Sequence, residues 1–176
     1  NFHGRTLAAI SMSVDPDSLV NYGPYVPGFV KVPYGDAEAV ERAISPNAVA
    51  VILEPIQGEA GVVVPPDGYL AAVREICSRK GVLFIADEIQ TGFCRTGRRF
   101  AWQREDARPD VMCLGKALGG GIMPVSAIVA DEAVMGVFTP GTHGSTFGGN
   151  PLACAIGIAS LEVLEDEALD ERAEVL

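Results

Sequence analysis

The hydrophobic pattern divides the chain into short apolar runs, each of strand length and each followed by a charged side chain. The runs lie at 48–53, 82–86 and 111–115. Runs that are apolar at nearly every position are typical of parallel strands, because such strands are covered on both faces. Glu54, Asp87 and Lys116 follow these runs directly. The pattern predicts an α/β fold whose buried strands deliver charged groups to one sheet edge, where open α/β folds bind ligands.

The clearest helical period lies at Asp67–Lys80, between the first two apolar runs. Its apolar residues fall on one stripe at helical spacing, namely Leu70, Val73, Ile76 and Cys77. Gly81 follows and suits a helix C-terminus, where a left-handed backbone is favoured. Strand, helix and strand in this order predict a right-handed βαβ unit.

Segments rich in Gly, Pro and Ser separate the remaining elements and predict loops. Asn150 followed by Pro151 is a strong helix start, a cap and then a first-turn proline, for a helix that leaves the core. The other predicted elements are short. The pattern predicts helices at Arg5–Ser11, Ala37–Ile44, Phe100–Arg104 and Leu152–Leu164, and a further strand at Val125–Ala130.

Charge narrows the classes of partner. The chain has 13 Lys and Arg against 23 Asp and Glu, a formal net charge of −10. This argues against a nucleic acid or an anionic membrane as partner, because both are bound through clustered basic residues. No apolar run approaches the roughly 18 residues of a membrane-spanning helix. Much of the acid lies in 162–176, which is typical of a solvated helix face.

The cysteines indicate a reducing compartment. The chain has four cysteines, Cys77, Cys94, Cys113 and Cys154, with no C-x-x-C pair among them. With only His3 and His143 beside them, neither a zinc site nor a disulfide framework is expected. We therefore expect no metal and a cytoplasmic protein. The chain starts at Asn1 and is interpreted as a piece of a longer protein, so a removed organelle leader stays possible.

Lys116 is the first candidate for chemistry. A lysine directly after a buried strand is expected to lose part of its hydration, which favours the neutral amine that attacks a carbonyl and forms an imine. The structural alternative is a strand-end lysine whose ammonium group reaches solvent. Glycines at 115 and 119–121 favour the chemical interpretation, because they leave room for a flat ligand.

Asp87 is the second candidate, since a carboxylate at the end of a buried strand needs a positive partner. That partner is either an arginine of the following crossover, such as Arg95, or a heterocyclic nitrogen that must stay protonated. Gln90 lies three residues further on and is placed to hydrogen-bond the same ring.

The segment 141–149 is rich in Gly, Ser and Thr and offers backbone N–H groups and hydroxyls that suit a phosphate. Taken alone it is equally typical of an ordinary loop, and His143 within it is interpreted as a loop histidine. An acid, an imine-forming amine and a phosphate loop together describe a site for pyridoxal 5′-phosphate (PLP).

Several motifs, in unbroken order along the chain, closely resemble those of the class III, fold-type I aminotransferases. They are FHGRT at 2–6, EPIQGE at 54–59, DEIQTG at 87–92, GKALGGG at 115–121 and GSTFGGNP at 144–151. The resemblance implies that residues 1–150 are part of a PLP-binding large domain, a mostly parallel sheet with helices on both faces. Residues 151–176 are then a helix leading towards a C-terminal small domain that is missing.

The resemblance also implies a role for each cofactor-binding residue. Lys116 would form the imine with the cofactor aldehyde and later move the proton between substrate and cofactor. Asp87 would keep the pyridine nitrogen protonated, Gln90 would bind the phenolic oxygen, and Phe2 would stack on the ring.

Further roles concern the substrate and a second subunit. Ser145 and Thr146 match residues that reach the phosphate of the neighbouring subunit's cofactor, which implies an obligate homodimer. Arg5 resembles the residue that pairs with a substrate carboxylate. Glu59 matches an acid that pairs with a C-terminal arginine in members acting on ω-amino groups, and Glu54 matches a neighbouring acid with a supporting role.

Within the family, the segments 59–61, 124–127 and 161–167 favour members that act on ornithine. This implies transfer of the δ-amino group of L-ornithine to 2-oxoglutarate, which gives glutamate and a semialdehyde that cyclises to pyrroline-5-carboxylate. Members that act on N-acetylornithine or 4-aminobutyrate share most of the motifs and remain alternatives.

Two classes of protein outside the family are alternatives to this interpretation. A nucleotide hydrolase is excluded, because Gly115-Lys116-Ala117 lacks the leading glycine and the hydroxyl of a phosphate-binding G-x-x-x-x-G-K-[ST] loop. A non-enzymatic structural or dimerisation fragment stays open.

Overall fold

A four-stranded sheet forms the centre of the computed structural model, which describes residues Asn1–Leu176. Its strands lie in the order β1 (Ala50–Leu53), β2 (Leu83–Asp87), β3 (Val111–Leu114) and β4 (Ala127–Ala130). Strands β1, β2 and β3 are parallel, whereas β4 runs antiparallel to β3. The predicted mostly parallel α/β sheet is therefore confirmed.

Seven α-helices accompany the sheet, and each helix expected from the sequence is present. They are α1 (Leu7–Ser11), α2 (Pro16–Leu19), α3 (Ala37–Ala43), α4 (Tyr69–Lys80), α5 (Glu132–Met135), α6 (Pro151–Asp166) and α7 (Leu169–Val175). Two 3-10 turns cover Ala101–Glu105 and Lys116–Gly119. The sequence pattern does not predict α2, α5 or α7, because α2 and α5 have only four residues each and four of the seven residues of α7 are charged, so none shows an apolar period.

Helix α4 packs on one face of the sheet and forms the core with it. Phe84 and Ala86 of β2 are fully buried in one cluster with Val73 of α4. The parallel register places Val51 and Leu53 of β1 opposite these strand residues, on the same face. Burial of one such large side chain stabilises a fold by about 1.5–3 kcal/mol, so this core holds the strand ends in place.

Strand β1 departs from the expectation of cover on both faces. It lies at the edge of the sheet, and all four of its residues are only partly buried. Val51 and Leu53 pack against the core cluster, whereas Ile52 and its register partner Ile85 lie on the opposite face and stay partly exposed. The expectation is wrong here because α3 and α4 cover one face alone.

The acidic C-terminal segment is partly tied to the crossover between β2 and β3. Arg99 Nη1 lies 2.8 Å from Glu165 Oε1 of α6, and Arg104 pairs with Glu174 of α7. Exposed pairs of this kind stabilise a fold by about 1 kcal/mol or less. Most apolar side chains of α6 are exposed, and the domain boundary near residue 150 stays a prediction. No helix combines the length and the apolar character needed to cross a membrane.

The parallel strands bring distant parts of the chain to one edge. Glu54 directly follows β1, Asp87 ends β2, and Lys116 begins the 3-10 turn after β3, with Gly115 between. The N-terminal segment lies across these ends, since Phe2 N–H donates to Glu54 Oε1 at 2.9 Å. The fold therefore gathers side chains that are up to 114 positions apart in sequence, from Phe2 to Lys116.

Candidate active site

A cleft of about 160 Å³ lies at the carboxyl edge of the sheet. Its lining comes from four segments of the chain and is mostly polar: Phe2, His3, Gly4, Glu54, Glu59, Asp87, Ile89, Gln90 and Lys116. Six of the residues singled out from the sequence meet here: Phe2, Glu54, Glu59, Asp87, Gln90 and Lys116. Arg5, Ser145 and Thr146 do not line this cleft.

Asp87 is the most tightly held acid of the cleft. It is 5% exposed, and its Oδ1 accepts a hydrogen bond from the Ile89 N–H at 3.1 Å. Its Oδ2 lies 2.6 Å from His3 Nδ1. Within the chain, the partner of this carboxylate is therefore His3 and not Arg95. A carboxylate has about four acceptor sites, so Asp87 retains capacity for a further donor from the cleft.

His3 lines the cleft and lies within the motif at 2–6, but neither the apolar pattern nor the resemblance gives it a role at the cleft. The hydrogen bond to Asp87 raises the pKa of the imidazole above its ordinary value of 6.5, while burial opposes the rise. The two residues are 84 positions apart, and no spacing in the sequence links them. Only the parallel sheet, which places the N-terminal segment over the end of β2, brings the pair together.

Lys116 faces solvent more than its position after a strand suggests. Its side chain is 48% exposed, and its Nζ lies 3.7 Å from Glu59 Oε1. Nζ also donates a hydrogen bond to Gln90 Oε1. The expected loss of hydration is therefore wrong for this structure, because Lys116 lies beyond the strand, at the open start of the 3-10 turn. Its φ of 44° is left-handed, a backbone conformation of non-glycine residues that clusters at functional sites.

The side-chain amide of Gln90 packs against Gly58, which has no Cβ atom. A Cβ atom built on Gly58 would overlap the Gln90 side-chain amide. The Gln90 side chain therefore occupies the space that a Cβ at residue 58 would take, and a larger residue there would require this side chain to move. The amide nitrogen of Gln90 lies against Gly58, and its Oε1 accepts a hydrogen bond from Lys116 Nζ at the edge of the cleft.

Glu54 joins two backbone segments through hydrogen bonds to its carboxylate. It is 8% exposed, and its two carboxylate oxygens accept hydrogen bonds from the N–H groups of Phe2 at 2.9 Å and Gly58 at 3.2 Å. The Tyr34 hydroxyl donates to the Glu54 carbonyl at 2.8 Å. These bonds fit the supporting role expected from the sequence, since they fix the backbone beside the cleft.

Arg5 lies outside the cleft but next to one of its walls. Its guanidinium carbon is 5.2 Å from the centre of the Phe2 ring. Its Nη1 donates to the Ser18 hydroxyl and lies 3.8 Å from Asp15 Oδ2. Helix α2 therefore holds the arginine near the ring that lines the cleft. Its expected pairing with a substrate carboxylate stays a prediction.

Ser145 and Thr146 lie in the exposed loop between α5 and α6. Ser145 Oγ accepts a hydrogen bond from Gly148 N–H at 3.0 Å, and Thr146 is exposed. The chain thus keeps the loop hydroxyls apart from the cleft. Their expected contact with a phosphate stays a prediction.

Glu88, directly after Asp87, is buried away from the cleft. It is completely buried, and its carboxylate accepts hydrogen bonds from the Thr91 hydroxyl and from the Trp102 N–H at 3.0 Å. Burial raises the pKa of Glu88 above its usual value, while these hydrogen bonds oppose the rise. The residue anchors the turn after β2 to the 3-10 turn at Ala101–Glu105.

The donor set of the cleft fits the ring and aldehyde end of PLP. A buried carboxylate suits a protonated ring nitrogen, the Gln90 amide suits a phenolic oxygen, and the Lys116 amine suits an aldehyde. Phe2 supplies an aromatic wall. No phosphate partner lies among the lining residues, so a phosphate would be bound by groups from elsewhere. No cluster of His, Cys, Asp and Glu suited to a metal ion is present.

Comparison with known proteins agrees with this geometry. The family model described as aminotransferase class-III matches residues 1–176. The chain belongs to the class III aminotransferases. The family expected from the sequence motifs is therefore confirmed.

Two individual relatives are similar to the chain over nearly its whole length. The chain is 64% identical over 169 residues to the ornithine aminotransferase of Oceanobacillus iheyensis, covering 96% of this chain and 42% of that protein. The chain is also similar to a crystal structure of ornithine aminotransferase from Toxoplasma gondii that has partial occupancy of PLP at its active site. The match covers 99% of this chain and 41% of that one. Its TM-score is 0.97 at 52% identity.

A third relative carries a different substrate name. The acetylornithine aminotransferase structure from Elizabethkingia anophelis is 55% identical, with a TM-score of 0.81, over 85% of this chain and 40% of that one. The chain thus spans less than half the length of each of these relatives.

Proposed function

We propose that the full-length protein is a PLP-dependent aminotransferase that transfers the δ-amino group of L-ornithine to 2-oxoglutarate. The products are glutamate and glutamate semialdehyde, which cyclises to pyrroline-5-carboxylate. The observation that supports this most is the cleft, which brings Asp87, Gln90 and Lys116 together at the carboxyl edge of the sheet. The 64% identity to an ornithine aminotransferase supports the choice of substrate.

PLP, when bound, supplies an aldehyde that reacts with amines and a ring that accepts electrons. Asp87 holds the proton on the ring nitrogen, because a buried carboxylate favours a positively charged neighbour. Gln90 donates from its amide to the phenolic oxygen. Phe2, which lines the cleft, would cover one face of the ring and exclude water from it.

Lys116 provides the amine and the proton transfer. Its Nζ reaches the cleft from the start of the 3-10 turn, beside Glu59 and Gln90. Glu59 Oε1 lies 3.7 Å from this Nζ, so a carboxylate stands beside the amine at the edge of the cleft. When the substrate amino group takes the place of Nζ at the cofactor aldehyde, Lys116 would be released as a neutral amine, which could then take the proton from the amino-bearing carbon.

Substrate orientation falls to Arg5 and Glu59. Arg5 is held by Ser18 and Asp15 of the α2 N-terminus and offers its guanidinium for a carboxylate. Glu59 is 55% exposed and borders the cleft, where it is placed to bind a cationic amino group or an arginine from the C-terminal part of the full chain. Glu54 supports both by fixing the backbone of Phe2 and Gly58.

The protein is proposed to act as a homodimer. Ser145 and Thr146 are exposed and lie outside the cleft of their own chain, which supports a phosphate contact in the neighbouring subunit. We also propose a cytoplasmic location, and roles in arginine breakdown and proline synthesis that follow from the product.

A second candidate is transfer from N-acetylornithine, which the 55% identity to an acetylornithine aminotransferase favours. 4-Aminobutyrate is a third donor of the same chemical type. All three present an ω-amino group, and the cleft residues named above serve each of them equally.

The deciding experiment supplies the full-length protein and PLP with L-ornithine or N-acetylornithine, each with 2-oxoglutarate. An aromatic aminoaldehyde traps the cyclised product, and glutamate is measured in parallel. Ornithine is expected to give both signals. Glutamate from the acetylated substrate alone, without the trapped adduct, would replace the ornithine assignment with the second candidate.

A parallel control separates an enzyme from a structural fragment. The wild-type protein is expected to bind PLP and absorb in the visible range, and Lys116→Ala is expected to lose that absorbance and all turnover. If the wild type binds no PLP, or if Lys116→Ala keeps the absorbance, the enzymatic proposal is wrong.

A further inference from the structure

Tyr34 carries a hydroxyl group that the proposed chemistry does not use. Its ring packs edge-to-face on Tyr69 of α4, with ring centres 5.4 Å apart. Its hydroxyl oxygen lies 2.8 Å from the carbonyl oxygen of Glu54 and 2.9 Å from that of Pro55. These two residues directly follow β1, at the edge of the sheet where the cleft lies. The phenol therefore reaches from the core to the backbone beside the cleft.

The two carbonyl groups share this hydroxyl as their donor. No backbone N–H and no other side chain of the chain donates a hydrogen bond to the carbonyl of Glu54 or of Pro55. Both residues are buried. Because a buried carbonyl without a donor is costly, the Tyr34 hydroxyl is the group that holds the backbone at Glu54-Pro55 in its place.

The surroundings of Tyr34 keep its hydroxyl protonated. Burial raises the pKa of the phenol above its ordinary value of 10.0, and the nearby groups of Tyr69, Glu54 and Glu105 raise it further. The hydroxyl is therefore a neutral O–H donor at neutral and mildly alkaline pH. The hydrogen bond to the backbone after β1 persists over this range.

The backbone held by Tyr34 carries contacts to two parts of the cleft. The Glu54 carboxylate accepts the Phe2 N–H at 2.9 Å with one oxygen and the Gly58 N–H at 3.2 Å with the other. Phe2 lines the cleft, and Gly58 packs against the side-chain amide of Gln90. A shift of Glu54 would therefore move the aromatic wall and the support of the Gln90 amide together.

We propose that Tyr34 is a positioning residue that acts through Glu54 to fix Phe2 and Gln90 around the cofactor ring. This inference rests on the proposed function, because it assigns Tyr34 to the support of the same PLP site. Tyr34 does not line the cleft, so it reaches the ring only through the backbone after β1. Such supporting contacts hold a binding site in one geometry.

The test compares the full-length protein as wild type and Tyr34→Phe, with Tyr69→Phe as the matched control. Tyr34→Phe removes the hydroxyl and keeps the ring. Tyr69→Phe makes the same chemical change in the other ring of the pair, whose hydroxyl donates no hydrogen bond to Glu54 or Pro55. Three quantities are measured: the dissociation constant of PLP, the visible circular dichroism of the PLP-saturated protein, and the urea midpoint of the cofactor-free protein.

Tyr34→Phe is expected to weaken PLP binding about twofold to tenfold, the range that one neutral hydrogen bond supplies. The circular dichroism of the saturated protein should change as well, because it depends on the chiral surroundings of the ring, which include Phe2 and Gln90. Tyr69→Phe is expected to keep the wild-type affinity and dichroism. A hydroxyl with a structural role alone would lower the urea midpoint and leave both PLP quantities unchanged.

A double variant tests the route through Glu54. In the background of Glu54→Ala, Tyr34→Phe should weaken PLP binding by a smaller factor than in the wild type, because the carboxylate that joins the backbone to Phe2 and Gly58 is gone. Equal factors in the two backgrounds would mean that Tyr34 acts independently of Glu54, and the proposed route would be wrong.

The outcomes separate this inference from the proposed function. If the wild type binds PLP and transaminates while Tyr34→Phe keeps its affinity and its dichroism, the positioning role is wrong and the function stands. If the wild type neither binds PLP nor transaminates, the function fails and the positioning role with it. Should Tyr34→Phe not fold, Tyr34→Met replaces it, because a flexible thioether fills an irregular space without supplying a donor. The same affinity and dichroism then decide.

Discussion

The strand-end cleft and the loop 139–150 are both assigned to one cofactor, yet they are built in opposite ways. In the cleft, Asp87 and Glu54 are buried, and each is hydrogen-bonded to a residue more than 50 positions away. In the loop, Ser145 is exposed and bonds only to Gly148, three positions away. The cleft is thus fixed by the whole sheet, whereas the loop is fixed by its own backbone.

This difference indicates how the site divides its work. Groups that touch the reacting ring must be held in one geometry, and packing around strand ends supplies that rigidity. A phosphate needs only backbone N–H groups and hydroxyls, which an exposed loop offers to whatever surface approaches it. We therefore expect substitutions in the cleft to act within one chain, and substitutions in the loop to act across a subunit boundary.

The largest effect is expected from Asp87→Ala, which breaks the cleft at its most buried group. The variant should still bind PLP through Lys116, but turnover should fall by several powers of ten, because the ring nitrogen loses the group that keeps it protonated. Each factor of ten corresponds to about 1.4 kcal/mol of activation free energy. The measurement is kcat for the full-length enzyme at saturating PLP.

Asp131→Ala is the matched control for this substitution, since Asp131 is an exposed acid paired with Arg108 at 2.9 Å. Its turnover should equal that of the wild type. Unchanged turnover in Asp87→Ala would contradict the role given to the acid and remove the main distinction between cleft and loop.

A smaller effect is expected where the two turns of the cleft meet. Gly58→Ala should displace the Gln90 side chain, because the added Cβ would overlap its amide. The affinity for PLP should fall about tenfold to a hundredfold, as in Gln90→Ala, since each variant loses the same hydrogen bond. The dissociation constant of PLP measures this in both single variants and in the double variant.

The double variant sharpens the interpretation. If Gly58 acts only through Gln90, then Gly58→Ala combined with Gln90→Ala should bind PLP no more weakly than Gln90→Ala alone. Additive losses would mean that Gly58 contacts the cofactor through its own backbone. Gly61→Ala, at a position with open space but a positive φ, measures the effect of backbone strain alone, which Gly58→Ala does not introduce because the φ of Gly58 is not positive.

The loop should show a third, still smaller effect that crosses the subunit boundary. In the dimer, Ser145→Ala with Thr146→Ala is expected to weaken PLP binding about tenfold through loss of hydrogen bonds to the phosphate. Mixed dimers locate the effect. One chain carrying Lys116→Ala and its partner carrying the two loop substitutions should retain one intact site and about half the wild-type activity at limiting PLP.

The arrangement within the mixed dimer is decisive. When all three substitutions lie in one chain and the other is wild type, the remaining site contains an intact lysine but substituted loop residues. That dimer should need more PLP for half-maximal activity. If instead the first mixed dimer needs more PLP for half-maximal activity than the second, the loop serves the site of its own chain.

The sequence predicted the cleft better than its surroundings. The strands could be predicted because apolar runs mark buried strands, and Asp87, Gln90 and Lys116 because they stand at the ends of those strands. The contact of His3 with Asp87 could not be predicted, because sheet pairing alone brings the two residues together. The exposure of Lys116 was also missed, because the pattern does not show that the strand ends at Leu114 and a 3-10 turn follows. The pairing of subunits has no local signal in either region.

The smallest effect is expected at Glu88, which is buried next to Asp87 and anchors the turn after β2. Burial raises its pKa, so the folded state binds the proton more tightly than the unfolded state does. The stability due to this group is therefore present below the ordinary value of 4.5 and is lost as pH rises through the raised pKa. Glu88→Gln removes this loss while its amide can still bond to Thr91 and Trp102.

Urea unfolding of the cofactor-free full-length protein at a series of pH values measures the difference between Glu88→Gln and wild type. The difference should move in favour of the variant as pH rises from about 4, by about 1.4 kcal/mol for each unit by which the folded pKa is raised. PLP affinity should change little, because Glu88 is buried away from the cleft. A pH-independent difference would mean that folding leaves the pKa of Glu88 at its ordinary value. If Glu88→Gln weakens PLP binding as much as Gly58→Ala does, then the turn after β2 couples the buried Glu88 to the cleft residues that hold the PLP ring.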